Sequence, residues 1–440
     1  MRRLFLLLVI LVSTVVSSVA QQKPTASDIR QAASRGDWPT VERLALGILK
    51  KDKNDRTASL LLTMSQLRQG KSAEALASAQ RTIALDSSMM QAWLLASESQ
   101  TQLKRHEDAI ATLKGAQRRF PDSLQPTWAL GMAYARVGRC SEAIMPLEET
   151  MFRRPDVVSL TQQLAHCYFA TGRIAESVEL YARAVERDPS NVTTRLSYGE
   201  ALMAHHDLDS AAYQFTEVIR LNPKMSNAYL ALTGVLQEQK KSEEALTVSK
   251  RLTAISPDDP MGWYNVGLLS LALKQTDTAI RAFKRAIALK SNYAEAYFNI
   301  ALAYDERGFE EDATMAFKRC ATISPLLAPD AYNSLAIMYR KTGRFQEAIN
   351  VHGQAIALRD TSAVLHASQI NTYYEAQQCE AAKTLVAQEL LRFPNDVGIL
   401  YASARCLIRT GDIDRAKAIA AQLDTLDPNL AEQLRLMIKI

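Results

Sequence analysis

"AEAYFNIALAYDERGFEEDATMAFKRCATISP", Ala294 to Pro325, holds two apolar stripes parted by a glycine. In its first half Tyr297, Ala301 and Tyr304 recur three or four residues apart; in its second half Ala313, Phe317 and Cys320 do the same. That spacing gathers apolar side chains on one face of each of two helices. Gly308 stands where the first helix must end, since glycine enters the left-handed conformation freely. Pro325 stops the second helix. A helix pair this short cannot cover both apolar faces by itself, so it needs neighbours of its own kind.

The neighbours are present. Counted in steps of 34 from Gln22, the pattern runs through twelve steps, with one extra residue near Ala328. Position 20 is alanine in ten of the twelve, from Ala75 to Ala416, and position 32 is proline in eight, among them Pro121, Pro189 and Pro428. Position 8 is small, as in Gly131, Ala165, Gly267 and Ala301; positions 4, 11 and 24 are large, as in Tyr297, Tyr304 and Phe317. The small positions let paired helices approach closely, and a large side chain there would part them. The expected fold class is all-α, an α-solenoid of helix-turn-helix pairs.

The pattern resembles the tetratricopeptide repeat (TPR) family, over residues 21–430 as twelve tandem repeats of 34 residues. The resemblance implies a right-handed TPR superhelix. Residues 431–440 are expected to form a C-terminal capping helix. The first repeat departs most, with Ile29 at position 8 and Pro24 shortening its first helix, and is expected to act as a cap. Pro146 falls inside a second helix, where it is expected to kink it.

Residues 1–20, MRRLFLLLVILVSTVVSSVA, join a basic start to an apolar run and end on small residues. They read as a secretory signal peptide with cleavage after Ala20. The alternative is an uncleaved anchor, and membrane contact is expected only in that case. Apolar residues at 48% and charged residues at 22% exclude a disordered or wholly membrane-embedded chain. The net charge is +5, and Arg2 and Arg3 supply two of those charges, so no nucleic-acid surface is expected.

No glycine-rich phosphate loop, CxxC pair, HExxH or GxSxG motif occurs. The histidines are scattered, and His205-His206 falls in a predicted turn. Packing accounts for every repeat and leaves no stretch to house a catalytic domain. The expectation is therefore a protein that is not an enzyme, with no catalytic residues, cofactor, metal or small-molecule substrate.

Four of the five cysteines form two copies of one spacing. Cys140 and Cys379 both hold position 17, and Cys167 and Cys406 both hold position 10 of the following repeat. Position 17 is bulky in Trp38 and Phe345; position 10 is small in Ala133 and Ala303. Both positions lie near the edge that carries the within-repeat turns, so Cys faces Cys twice. Two disulfides, Cys140–Cys167 and Cys379–Cys406, are expected, with four buried thiols as the alternative. Cys320, at position 27, is expected to be a buried free thiol.

The resemblance implies that positions 2, 5, 9 and 12 face a concave groove where TPR proteins bind peptides or partner helices. In repeats three to seven those positions include Leu94, Trp128, Met132, Phe169, Leu196, Met203 and Leu230. Later they include Tyr264, Leu268, Leu271, Phe298, Leu302, Ile337, Tyr374 and Tyr401. A solvated face would be polar, so this stripe points to a buried partner surface. Asn265 and Asn299 both hold position 6, where the family's asparagines contact bound peptide. The family's carboxylate clamp of lysine, asparagine and arginine is not reproduced, which argues against a cytosolic chaperone adaptor.

The expected function is a non-catalytic protein–protein interaction scaffold or adaptor, exported to a periplasm or cell envelope. In a eukaryote it would be secreted or lie in the ER lumen. The alternative is a secretory-pathway co-chaperone holding unfolded chains, with Asn191-Val192-Thr193 as a glycosylation sequon.

Overall fold

The computed structural model describes residues 26–439. The expected signal segment, residues 1–20, lies outside them. Among the described residues there are 25 α-helices, from Ala26–Ser34 to Pro428–Ile438, and no strand. They are twelve helix pairs and a final helix, as the period requires. In most pairs a first helix of 13 residues, such as Leu124–Arg136, is followed by a second of 14, such as Cys140–Arg153. The first helix among the described residues, Ala26–Ser34, has 9 residues, and its Ile29 is buried.

The chain forms two compact units, one ending at Gln214 and the other beginning at Phe215, within the helix Leu208–Leu221. In each unit a first helix packs on the second helix of its own repeat and on that of the preceding repeat. At the C-terminus, Pro428–Ile438 packs on Ile413–Leu426 and Val397–Arg409. This helix opens at Pro428, before the expected start at residue 431. Asp427 caps it through the Leu430 N–H, and Pro428 fits the first turn, where no N–H is needed.

The alanines at position 20 are fully buried, including Ala75, Ala143, Ala279, Ala313 and Ala416. At Ser177, which replaces one of them, the hydroxyl donates to the Ala165 carbonyl at 2.8 Å, so its polar atom is satisfied. Position 8 is small because position 24 fills the space above it. A Cβ on Gly267 would sit 2.5 Å from the Phe283 ring, and one on Gly131 would sit 2.7 Å from Leu147. Replacing Gly267 by Ala should therefore cost about 1–3 kcal/mol of stability by overpacking. Urea unfolding checks this; an unchanged midpoint would show that the ring can move aside.

The within-repeat turn places position 15 in the left-handed region throughout. Seven repeats supply glycine there, as in Gly138 (φ 76°) and Gly308 (φ 77°), and five do not, as in His206 (φ 62°) and Lys274 (φ 59°). His205-His206 does lie in a turn, as expected. Pro146 is accommodated inside the helix Cys140–Arg153 and is buried.

The cysteine pairs divide. Cys379 and Cys406 are bonded, with Cα atoms 5.2 Å apart. Cys140 and Cys167 are free and buried, contrary to the expectation of a second disulfide. The local backbone differs between the two sites. Cys140 is the first residue of an intact helix, whereas Cys379 precedes a helix that starts only at Lys383. Cys320 is free and buried, as expected.

Candidate functional site

In the first unit, Leu94, Trp128 and Met132 come together. They project from Met90–Gln102 and Leu124–Arg136, the first helices of repeats three and four, and line a cleft of about 450 Å3. Ala129 and Ala133 also line it, with the exposed Gln91, Gln125, Glu98 and Arg136. Trp128 is 38% exposed, while Leu94 and Met132 are half-buried against the repeat core. The cleft is an apolar trough with hydrogen-bonding groups of both kinds on its rim. Such a surface can take an apolar side chain and still leave backbone groups partnered.

The next two repeats are different. Gln162, Gln163, His166, Thr193, Thr194 and Ser197 line a second cleft of about 430 Å3, with Tyr181 and Asn191 beside them. Gln162 donates to the Thr194 hydroxyl at 2.6 Å across the two repeats. The continuous apolar lining expected from the sequence is thus interrupted here. The signal was available: Gln162 and His166 hold positions 5 and 9 of the fifth repeat. Phe169, Leu196 and Met203 are half-buried and do not line the apolar cleft.

In the second unit the expected residues are engaged with the core. Tyr264 packs against Phe283 and Tyr293, with centroids 5.9 and 4.9 Å away, and Phe298 packs edge-on against Phe317 at 5.8 Å. Leu268, Leu271 and Leu302 are half-buried against the same cluster, as Ile337 and Leu230 are in their own repeats. Burial raises the Tyr264 pKa above its ordinary value.

Three of the expected groove side chains have partners within the chain. Asn299 is not available as a two-way peptide partner: its amide donates to the Tyr264 hydroxyl at 3.1 Å and to the Glu295 carbonyl at 2.8 Å. Its donors are spent on holding Tyr264, so the asparagine ladder reduces to Asn265, which is half-buried. Tyr374 is covered by the Arg405 and Arg409 guanidiniums, 3.8 and 4.7 Å from its ring centre. Tyr401 donates its hydroxyl to Gln433 at 2.9 Å. A cation over a ring and a hydroxyl bound to the final helix give these tyrosines partners within the chain. The sequon residue Asn191 serves as an N-cap, accepting from the Thr194 N–H at 3.0 Å.

Among the described residues no group of three or more His, Cys, Asp or Glu could hold a metal ion. None of the described helices is long and apolar enough to cross a membrane.

Comparison with known proteins returns repeats along most of the chain. Tetratricopeptide repeat profiles match residues 60–123, 129–192, 202–264, 331–363 and 368–431, and a TPR repeat profile matches residues 270–308. No curated protein matches the chain. Among solved structures, the C-terminal part of a TPR repeat-containing protein from Cytophaga hutchinsonii is 12% identical, covering 55% of this chain and 99% of its own, with a TM-score of 0.49. Yeast Tom70 is 13% identical, covering 94% of this chain and 95% of its own, with a TM-score of 0.41. YrrB, described as a TPR protein with an unusual peptide-binding site, is 18% identical, covering 42% of this chain and 94% of its own, with a TM-score of 0.37. These are likenesses of fold.

Proposed function

The chain belongs to the tetratricopeptide repeat family, and from that premise we propose that it is a non-catalytic adaptor that holds a partner peptide or helix along its first-helix face. A protein–protein interaction scaffold is the role that the repeats support. The observation that carries the finer reading is the apolar cleft of Leu94, Trp128 and Met132, with Trp128 left 38% exposed. A large apolar side chain without cover costs solubility, and a partner's apolar segment would cover it. The polar cleft of Gln162, Gln163 and His166 would take the adjoining part of the same segment through hydrogen bonds. The apolar stretch of residues 1–20 supports export, to a periplasm or cell envelope.

The test uses arrayed extended peptides of graded apolarity and the full chain. Peptides bearing large apolar residues should bind, and Trp128→Ala should weaken them about 30-fold, the effect of removing a central aromatic anchor. Trp128 is a cleaner probe than Tyr264 or Phe298, whose rings also pack in the core. Equal affinity for the wild type and the Trp128 variant would remove this cleft from the account.

A further inference from the structure

Cys140 and Cys167 hold the same two register positions as Cys379 and Cys406, yet only the later pair is bonded. One backbone feature separates the two sites. Around the bonded Cys379, the N–H groups of Ala381, Ala382 and Lys383 donate to carbonyls three residues back, at 3.1, 3.1 and 3.4 Å, and the helix begins at Lys383. Around Cys140, the Glu142 N–H likewise donates three residues back, to Arg139 at 3.2 Å, but the Ala143 N–H reaches four residues back to the same carbonyl at 3.1 Å, and the helix begins at Cys140 itself. The bonded cysteine stands on a turn and the free one on a helix.

The helix that carries Cys140 has a weak point beside that turn. Pro146 has no N–H, so the Glu142 carbonyl lacks its helical donor, and the ring crowds that same carbonyl. The first turn is therefore tied to the rest of its helix by fewer bonds than in any ordinary repeat. Its N-cap residue, Arg139, makes no side-chain capping bond and instead pairs with Glu107 and Glu142 at the surface, where ion pairs are screened.

We propose that Cys140 and Cys167 are a second disulfide site, which closes on oxidation as the first helical turn after Arg139 rearranges to the turn form already present at Cys379. The oxidant is a small disulfide of the glutathione class. The thiolate of Cys140, the less buried residue of the two, attacks it, forms a mixed disulfide and expels one thiol. The Cys167 thiolate then attacks the Cys140 sulfur and expels the second thiol. The chain loses two hydrogen atoms, and the oxidant is reduced to two thiols. Burial and the adjacent Cys140 hold the Cys167 thiol protonated in the closed fold, so opening of the turn precedes reaction. This also gives Pro146 a role: of the helical hydrogen bonds that hold the first turn, the one to the Glu142 carbonyl is already absent, which leaves fewer to break beside that of Ala143 to Arg139.

The test equilibrates the full chain with mixtures of reduced and oxidised glutathione, quenches with acid and maps disulfides by peptide mass. A Cys320→Ser background removes the odd thiol. Wild type should give a linked Cys140–Cys167 peptide alongside Cys379–Cys406, and the Ala143 and Ile144 amides should exchange faster once it forms. Pro146→Ala should shift the equilibrium about five-fold toward the thiols, the worth of one net hydrogen bond. Thiols at Cys140 and Cys167 in every mixture that keeps Cys379–Cys406 bonded would overturn the site. A bond that forms with unchanged Ala143 exchange, or equal midpoints with and without Pro146, would overturn the rearrangement.

Discussion

Replacing both Cys379 and Cys406 by alanine should remove about 3.5 kcal/mol of stability, the chain-entropy value for the 27-residue spacing that their bond closes. The loss should be local. Repeats touch only their neighbours, so the effect falls on the helices Ala363–Glu375, Lys383–Arg392 and Val397–Arg409 and fades toward the start of the second unit. This region depends on its bond more than its neighbours would, because Lys383–Arg392 has 10 residues where other second helices have 14. A lost helical turn is lost packing, and the covalent link stands in its place. Amide exchange across residues 363–409 measures the change. Adding reductant to the wild type should reproduce the variant's exchange rates, and reductant should leave those residues unaltered in the variant itself. If wild type and variant exchange alike in the absence of reductant, the bond carries no part of the region's stability.

Most of the scaffold can be read from residue spacing, because the features that define it are periodic. The position-20 alanines are buried wherever the step of 34 places them. The left-handed turn is harder to read. Gly138 and Gly308 announce it, but Lys104, Lys240 and Gln377 adopt it too, at φ between 58° and 60°. There the stacking of the two flanking helices imposes the conformation on a residue that does not favour it. The cleft of Leu94, Trp128 and Met132 follows from positions 5 and 9 alone. The fates of Asn299, Tyr374 and Tyr401 do not, since each depends on a partner one repeat away: Tyr264, Arg405 and Gln433. A period locates a face; it does not say which neighbour bends across to cover it. The split between the two cysteine pairs is of the same kind, since both have one spacing and differ in the backbone under the first sulfur.

The other large effect comes from a histidine that the repeat pattern places in the core. His352 holds position 24, where other repeats have Phe215, Phe283, Phe317 or Leu147, and it is fully buried. Its Nε2 lies 3.0 Å from the Thr372 hydroxyl, which itself donates to the Ser368 carbonyl at 3.0 Å. Thr372 has one hydrogen and has already given it, so Nε2 carries the ring proton and Nδ1 is bare and buried without a partner. A second proton would have to sit on that Nδ1. Burial, with the nearby Arg340 charge, therefore lowers the His352 pKa from 6.5 to about 4. The unfolded chain takes up that proton below about 6.5, and the folded chain only below about 4. Stability is thus whole above the first value and falls as the pH drops from the first to the second, by about 3 kcal/mol for this group. Comparing wild type with His352→Leu isolates it, since His366 and Glu389, 3.0 Å apart in the same region, are common to both proteins. The leucine variant should match the wild type near neutral pH to within about 1 kcal/mol. It should then keep its stability in the second unit between pH 6.5 and about 4, while the wild type loses it. Parallel pH profiles for the two proteins, by urea unfolding or amide exchange over residues 345–375, would mean that the imidazole finds a route to solvent or a partner when it charges.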